Sequence, residues 1–419
     1  LGDVYKRQEG YNKKVIMSYW TICRMKTTKK IYVKVSIIFL LGGILLFSSC
    51  EKEENQKIEA NRKTLFMYLP WSSNLTNYFY NNISDLEKCI TKIGLNNEKV
   101  IVFISTGSTE AMMFEIVSSH GRCKREILKK YKSPPFTTID GITAILNDVK
   151  AFAPASVYTM IIGCHGMGWL PVYEMKVRSA PHMKMHWEYQ GVPLTRYFGG
   201  LTAEYQTDIK SLASGIANAG MKMEYILFDD CYMSSIEVAY ELKDVTKYLI
   251  GSTSEMMAYG MPYAAIGEYL LGNPDYQSGC EEFYNFYSTY EIMPCGTLAV
   301  TDCSELENMA AIIKSINSKY SFDKSLRGTI QRLDGYTPVI FYDFADYITS
   351  LCNDPILLNQ FREQLNHLVP YKTHTKNFYT MAKGIIPINT FSGITTSDPS
   401  DNPMTVLKEN TLWYKAAHN

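Results

Sequence analysis

One stretch limits the fold more than any other: Glu224-Tyr-Ile-Leu-Phe-Asp-Asp-Cys231-Tyr-Met-Ser-Ser-Ile-Glu237. Its apolar run, Tyr225 to Phe228, is short and uninterrupted, the pattern of a strand buried on both faces. Two acids and a cysteine follow directly. Ser234-Ser235-Ile236-Glu237 then reads as a capping box that starts a helix. A buried strand running straight into a helix is the repeating step of an open α/β sheet, and such sheets bind ligands at the carboxyl ends of their strands. A thiol there sits near a helix amino terminus, where backbone N–H groups and the helix dipole favour the thiolate. The geometry suits a nucleophile.

A thiol nucleophile needs a base. Tyr158-Thr-Met-Ile-Ile-Gly-Cys-His165-Gly-Met-Gly168 is a second apolar strand, delivering a histidine to its end and then a glycine-rich turn. Neighbouring parallel strands put two such ends side by side, within reach for Cys–His proton transfer. Gly166 permits close backbone approach, so its N–H can face a developing oxyanion together with that of Cys231. Other residues compete for these roles. Cys303, in Thr297-Leu-Ala-Val-Thr-Asp-Cys-Ser-Glu305, also follows an apolar run and precedes a helix-like segment. His120-Gly121 repeats the His-Gly dipeptide behind a weaker strand signal. Buried cysteine is also common core filler, and a strand-end histidine is often structural.

The rest of the chain alternates between the two periodicities. Strands are expected at Thr64–Leu69, Lys99–Ser105, Val157–Gly163, Tyr225–Phe228, Tyr248–Gly251 and Thr297–Val300. Helices are expected at Tyr78–Ile93, Ile139–Phe152, Glu305–Tyr320 and around Leu357–Leu368, with a late strand at Ile385–Ile388. Alternation of this kind predicts an α/β fold, a mostly parallel sheet flanked by helices. The final stretch is expected to pack on that sheet. Between His165 and Cys231 lies a long irregular segment, Pro171 to about Gly200. Loops of that length in a compact domain are usually functional or mobile. His182 and His186 lie within it, but no H-E-x-x-H pattern joins them and no metal site is expected.

The two strand-end motifs resemble the clostripain-type cysteine peptidases (family C11), of the caspase-like, gingipain and legumain clan. The residues that carry the resemblance are His165-Gly166, Phe228-Asp229-x-Cys231-x-Met233 and Ser235-x-Glu237-Val-Ala-Tyr-Glu-Leu242. To these are added Ser252-Thr-Ser-Glu255, Gly260-Met-Pro-Tyr263 and Phe391-Ser-Gly-Ile394. The resemblance runs from about Thr64 to the end of the chain. It implies a caspase-like fold with a C-terminal α+β extension, and a dyad of His165 as base and Cys231 as nucleophile. It further implies that Asp229 is an acidic residue of the S1 pocket, for substrates with Arg or Lys before the scissile bond. Relatives often carry a second acid in the loop before the Gly-x-Pro-Tyr segment. Here that loop reads Met256-Met-Ala-Tyr259, with Glu255 the nearest acid, so a weaker bias is expected. Asp230 stands where relatives usually have a small residue. Some relatives use calcium, but no oxygen-rich loop of EF-hand type is present and no organic cofactor is implied.

The amino-terminal part reads as a leader. The first residue is Leu, so residues 1 to about 24 are taken as non-native coding sequence and Met25 as the start. Lys26, Lys29, Lys30 and Lys34 form a basic region, Val35 to Phe47 an apolar one, and Phe47-Ser-Ser-Cys50 a lipobox-like end. That run is short for a spanning helix. Cleavage and lipidation at Cys50 are expected, anchoring a cell-envelope lipoprotein at the outer membrane or cell surface, with the periplasmic side also open. The polar Glu51-Lys-Glu-Glu-Asn-Gln-Lys57 reads as a tether. The expected divisions are therefore 1–49 leader, 50–62 tether, 63–303 catalytic domain and 304–419 the C-terminal part of the same peptidase unit.

Residues 1–49 hold nine of the 42 Lys/Arg and two of the 42 Asp/Glu, leaving 33 basic against 40 acidic residues from Cys50 on. A mildly acidic chain without a basic stripe argues against nucleic acid as a partner. No C-x-x-C spacing points to a structural metal. Two function classes remain. One is an endopeptidase acting on polypeptides through an acyl-enzyme. The other is an inactive surface lipoprotein that binds peptides or glycans, to which the 31 tyrosines lend some support. For the peptidase, Lys176, Arg178, Lys184 and Arg196 make the loop between the dyad partners an expected site of self-cleavage.

Overall fold

Nine consecutive strand residues, Asn61–Leu69 (β1), lead the computed structural model of the protein, which describes residues 61–171 and 205–418. The expected leader, Cys50, the tether, and the loop with His182, His186 and its four basic residues lie outside the described residues. After β1 come helix α1 (Thr76–Ile93), β2 (Glu98–Ser105), β3 (Glu110–Ser119), β4 (Arg122–Lys132), α2 (Ile139–Phe152) and β5 (Ala155–Ile162). Then follow α3 (Ile209–Asn218), β6 (Met223–Phe228), α4 (Ile236–Leu242), β7 (Thr246–Gly251), α5 (Tyr263–Leu270), α6 (Tyr276–Ser288) and β8 (Thr297–Asp302). The C-terminal part supplies α7 (Leu306–Asn317), β9 (Tyr342–Asp343), α8 (Phe344–Leu351), α9 (Pro355–Leu368) and β10 (Tyr371–His374). It ends with β11 (Asn377–Thr380), β12 (Gly384–Pro387), β13 (Thr395–Thr396) and α10 (Leu412–His418).

Nine of these strands form one sheet in the order β10-β8-β7-β6-β5-β1-β2-β3-β4. The central five, β2, β1, β5, β6 and β7, run parallel. Their side chains are buried on both faces, from Leu65 to Leu69 in β1, Val100 to Ile104 in β2 and Tyr225 to Phe228 in β6. That is why each reads as an unbroken apolar run. The wings are antiparallel: β3 and β4 on one side, β8 and β10 on the other. The mostly parallel, helix-flanked sheet is the one expected, and β10 carries the C-terminal part into it.

Antiparallel wings decide the placement of two competing residues. Strand β8 runs back along β7, with Gly251 opposite Ala299 and Tyr248 opposite Asp302. Its carboxyl end, and Cys303 with it, therefore emerges at the amino edge of the parallel strands. Strand β3 runs back along β2 in the same way, so His120-Gly121, the tip of the β3–β4 hairpin, also lies at that far edge. His120 takes a positive φ of 51° there, followed by Gly121 at 68°, the backbone of a tight hairpin turn.

The capping box takes a different form from the expected one. Ser235, not Ser234, caps α4, accepting from Val238 N at 3.3 Å. Ser234 Oγ instead donates to the Gly393 carbonyl at 2.8 Å. Glu237 Oε1 accepts from Thr396 Oγ1 at 3.0 Å and Ser397 N at 2.7 Å. Its carboxylate was claimed by tertiary structure before it could cap its own helix.

This anchoring makes stability depend on pH. Burial, with the nearby Asp398 charge, pushes the Glu237 carboxyl up to about 7, and burial also raises Asp398. In the unfolded chain a glutamate titrates near its ordinary value of about 4.3. Between those values the folded state keeps a proton that the unfolded chain has released, so stability falls as pH rises through that window. Glu237→Gln preserves the accepting oxygen but cannot titrate. Its denaturation midpoint is expected to fall less than the parent's between about pH 5 and about pH 8. Equal slopes for the two proteins would show that Glu237 is not the group responsible.

Candidate active site

Strands β5 and β6 are parallel neighbours in register, Ile162 opposite Phe228. Asp229 N continues the ladder by donating to Ile162 O at 2.8 Å. Beyond that bond the two chains run on as Gly163-Cys164-His165-Gly166 and Asp229-Asp230-Cys231, at the same edge of the sheet. The turns touch. A Cβ built on Gly166 would lie 2.2 Å from the Cys231 carbonyl oxygen and 3.0 Å from Cys231 N. Only glycine allows that approach. His165 and Cys231 are each 0% exposed, so both turns are packed from all sides.

Side chains that the motif reading did not single out complete the site. His165 Nε2 is 2.8 Å from Asn74 Oδ1. A carboxamide oxygen only accepts, so Nε2 carries a proton and Nδ1 is the basic nitrogen. Asn74 lies in a 3-10 turn, Ser73–Leu75, directly after β1. The sheet order puts β1 beside β5, which is how residues 91 positions apart meet. Met256 N donates to Cys231 Sγ at 3.1 Å, an amide aimed at the sulfur from the loop after β7. Tyr232, directly after the cysteine, adopts a left-handed backbone, φ 61°. For a bulky residue this conformation costs roughly 1–3 kcal/mol and persists where surroundings enforce it. They do here: Tyr232 N donates to Ser254 O at 3.1 Å, its ring stacks on Phe341 at 4.9 Å, and its hydroxyl donates to Glu255 at 2.8 Å.

The acids around the thiol are all engaged. Asp229 Oδ1 accepts from Met261 N at 2.8 Å and Oδ2 from the Tyr263 hydroxyl at 2.9 Å. This explains why Gly260-Met-Pro-Tyr263 accompanies the Asp-x-Cys motif. Glu255, the nearest acid in the loop, is buried and divides its oxygens between Tyr232 and Met381 N. A different acid reaches the loop: the Tyr259 hydroxyl donates to Asp85 of α1 at 2.6 Å. Sequence distance hid this pair.

Four other thiols are unreactive near neutral pH. Burial pushes Cys303 and Cys280 up to about 12, and Cys89 and Cys295 up to about 11. A thiol so raised is almost wholly protonated near neutrality. None of the eight cysteines among the described residues is in a disulfide. Among the described residues no group of three or more His, Cys, Asp or Glu side chains could hold a metal ion.

Both the sequence and the fold have counterparts among known proteins. The clostripain family model matches residues 67–386. A secreted C11 cysteine protease from Bacteroides thetaiotaomicron ("iotapain") shares 58% identity, with 86% of this chain and 99% of that chain covered and a TM-score of 0.80. A clostripain from the same organism, in complex with the peptide inhibitor BTN-VLTK-AOMK, shares 65% identity over 53% of this chain and 99% of that one, with a TM-score of 0.52. An inactive zymogen C11 protease from Parabacteroides distasonis, 24% identical over 85% of this chain and 98% of that chain with a TM-score of 0.70, shares the fold. No curated protein matches the chain. The chain thus belongs to the clostripain family and is a cysteine-type peptidase.

Proposed function

We propose that the protein is an endopeptidase in which Cys231 is the nucleophile and His165 the general base. The observation carrying this reading is the contact of the two turns, Gly166 against the Cys231 backbone, at the ends of adjacent parallel strands. In the first step the Cys231 proton passes to His165 Nδ1 and Sγ attacks the scissile carbonyl. Backbone N–H groups of Gly166 and Cys231 stabilise the oxyanion. The imidazolium then protonates the departing amine as the C–N bond breaks, leaving an acyl-enzyme. Water, deprotonated by His165, releases the acid and restores the thiol. Asn74 keeps the imidazole in the tautomer this sequence requires, and Met256 N–H supports charge on the sulfur.

Asp229 is proposed as the S1 acid. A carboxylate has about four acceptor positions. Met261 N and the Tyr263 hydroxyl hold two, which fixes the group proposed to pair with a cationic P1 side chain. The inhibitor bound to the 65%-identical clostripain has a peptide part written VLTK, ending in lysine, which agrees with a preference for Lys or Arg. Anchoring by lipid on Cys50 rests on the lipobox-like sequence. A cell-envelope or surface location agrees with the description of the 58%-identical protease as secreted.

Two outcomes are expected. Cys231→Ala abolishes hydrolysis of a fluorogenic peptide, Cys303→Ala leaves it near the parent rate, and Asn74→Ala lowers kcat by about tenfold to a hundredfold, a fraction of what a positioned base contributes. Loss of activity in the Cys303 variant with retention in the Cys231 variant would overturn the assignment. Second, a peptide library read by mass spectrometry is expected to show cleavage after Lys or Arg, with that bias reduced in Asp229→Asn. Cleavage mainly after aliphatic or acidic residues would rule out Asp229 as the S1 acid.

A further inference from the structure

We propose that Asp230 is a positioning residue, holding the His165 turn in register with Cys231 beyond the point where the β5–β6 ladder ends. The proposal rests on the reading of His165 and Cys231 as the catalytic dyad. After the bond from Asp229 N to Ile162 O, the next link between the two chains is made by a side chain. Asp230 Oδ1 accepts from Cys164 N at 2.6 Å, and Oδ2 accepts from Cys164 Sγ–H at 3.4 Å. The same side chain lies along the far side of the turn, for a Cβ built on Gly166 would come within 2.9 Å of Asp230 Cβ. One side chain thus grips the residue before His165 through its carboxylate and abuts the residue after it through its Cβ.

Its chemistry is more than the local backbone requires. Asp230 and Cys164 are both fully buried, and a buried amide needs an acceptor, which any carbonyl could supply. A buried carboxylate is a costly acceptor unless well bonded, but it makes shorter and stronger bonds than a neutral oxygen. The N–H it holds belongs to the Gly163–Cys164 peptide, one residue ahead of His165, so it holds the backbone from which the imidazole leaves. Asn74 fixes the other end, at Nε2. With backbone and ring tip both held, Nδ1 has little freedom, and the covalent link from Asp230 to Cys231 refers that position directly to the nucleophile. An error of about 1 Å in such an alignment can cost roughly a hundredfold in rate.

The test uses the full chain and a short peptide ending in lysine with a fluorogenic amine leaving group. Asp230→Ala and Asp230→Ser are expected to lower kcat by about tenfold or more, with KM within about twofold of the parent and little change in melting temperature. Asp230→Asn keeps an oxygen for Cys164 N–H and is expected to recover kcat to within about threefold. If the alanine variant does not fold, the serine and asparagine variants decide. Parental kcat in Ala or Ser, an Asn variant as slow as either, or kcat losses that track falling melting temperature would overturn the proposal. Cys231→Ala and His165→Ala run alongside: activity in either defeats the dyad itself, an outcome separate from the behaviour of Asp230.

Discussion

The parallel pairing of β5 with β6 is the constraint on which the rest of the site depends. Because the strands run the same way and, past an irregularity between Tyr158 and Met160, pair regularly from Met160 and Ile226 to Ile162 and Phe228, both chains leave the sheet at one edge and one level. Hydrogen bonds of a buried ladder are hard to shift, since a buried N–H or C=O left unpaired is costly. The approach of the two turns is therefore set by backbone, and glycine at 166 lets it close to contact. The antiparallel wings act in the opposite sense. They extend the sheet while sending Cys303 and His120 to the far edge.

A turn pinned on one side alone would still be free to swing. The C-terminal part supplies the second side. Ser234 O receives Thr395 N at 3.0 Å, Ser234 Oγ reaches Gly393 O, and Glu237 holds residues 396 and 397. Trp169, four residues after His165, donates from Nε1 to Ser397 Oγ at 2.9 Å. Residues 393–397 thus tie the segment after the histidine to the segment after the cysteine. With β10 inside the main sheet, this accounts for a C-terminal part that belongs to the same core as the dyad.

What was legible in the sequence follows from this division. Strands buried on both faces announce themselves as apolar runs, and all seven expected strands formed, the late one at Gly384–Pro387 included, each within a few residues of the expected bounds. The β3–β4 hairpin was missed because β4, Arg-Cys-Lys-Arg-Glu-Ile-Leu-Lys-Lys-Tyr-Lys, lies at the sheet edge with mostly polar side chains. Strand β10, Tyr-Lys-Thr-His, has no apolar run to find. At the site, the motif residues were readable because chemistry restricts them. Asn74 was not, since an asparagine in a polar turn has many ordinary uses and only the adjacency of β1 and β5 brings it to His165. Met256 was beyond reach for a different reason: its contribution is a backbone N–H, which any residue but proline possesses.

The same distinction bears on specificity. The loop Met256-Met-Ala-Tyr259 has no acid of its own, and Glu255 at its start is spent on Tyr232 and Met381, a task set by the strained backbone after the nucleophile. Burial and the bond to Asp85 push the Tyr259 phenol well up, so it stays a neutral donor at any ordinary pH. Its hydroxyl is turned toward Asp85 and its ring stacks on Phe286 at 5.0 Å. On the reading of Asp229 as the S1 acid, this loop contributes an aromatic pair backed by a carboxylate on α1 and no acid of its own. Such a pair suits a long side chain with an apolar stem, since lysine and arginine both bury their methylenes. It adds less attraction for the charged tip than a second carboxylate in direct contact. Discrimination between a cationic and a neutral long side chain then falls mainly to Asp229.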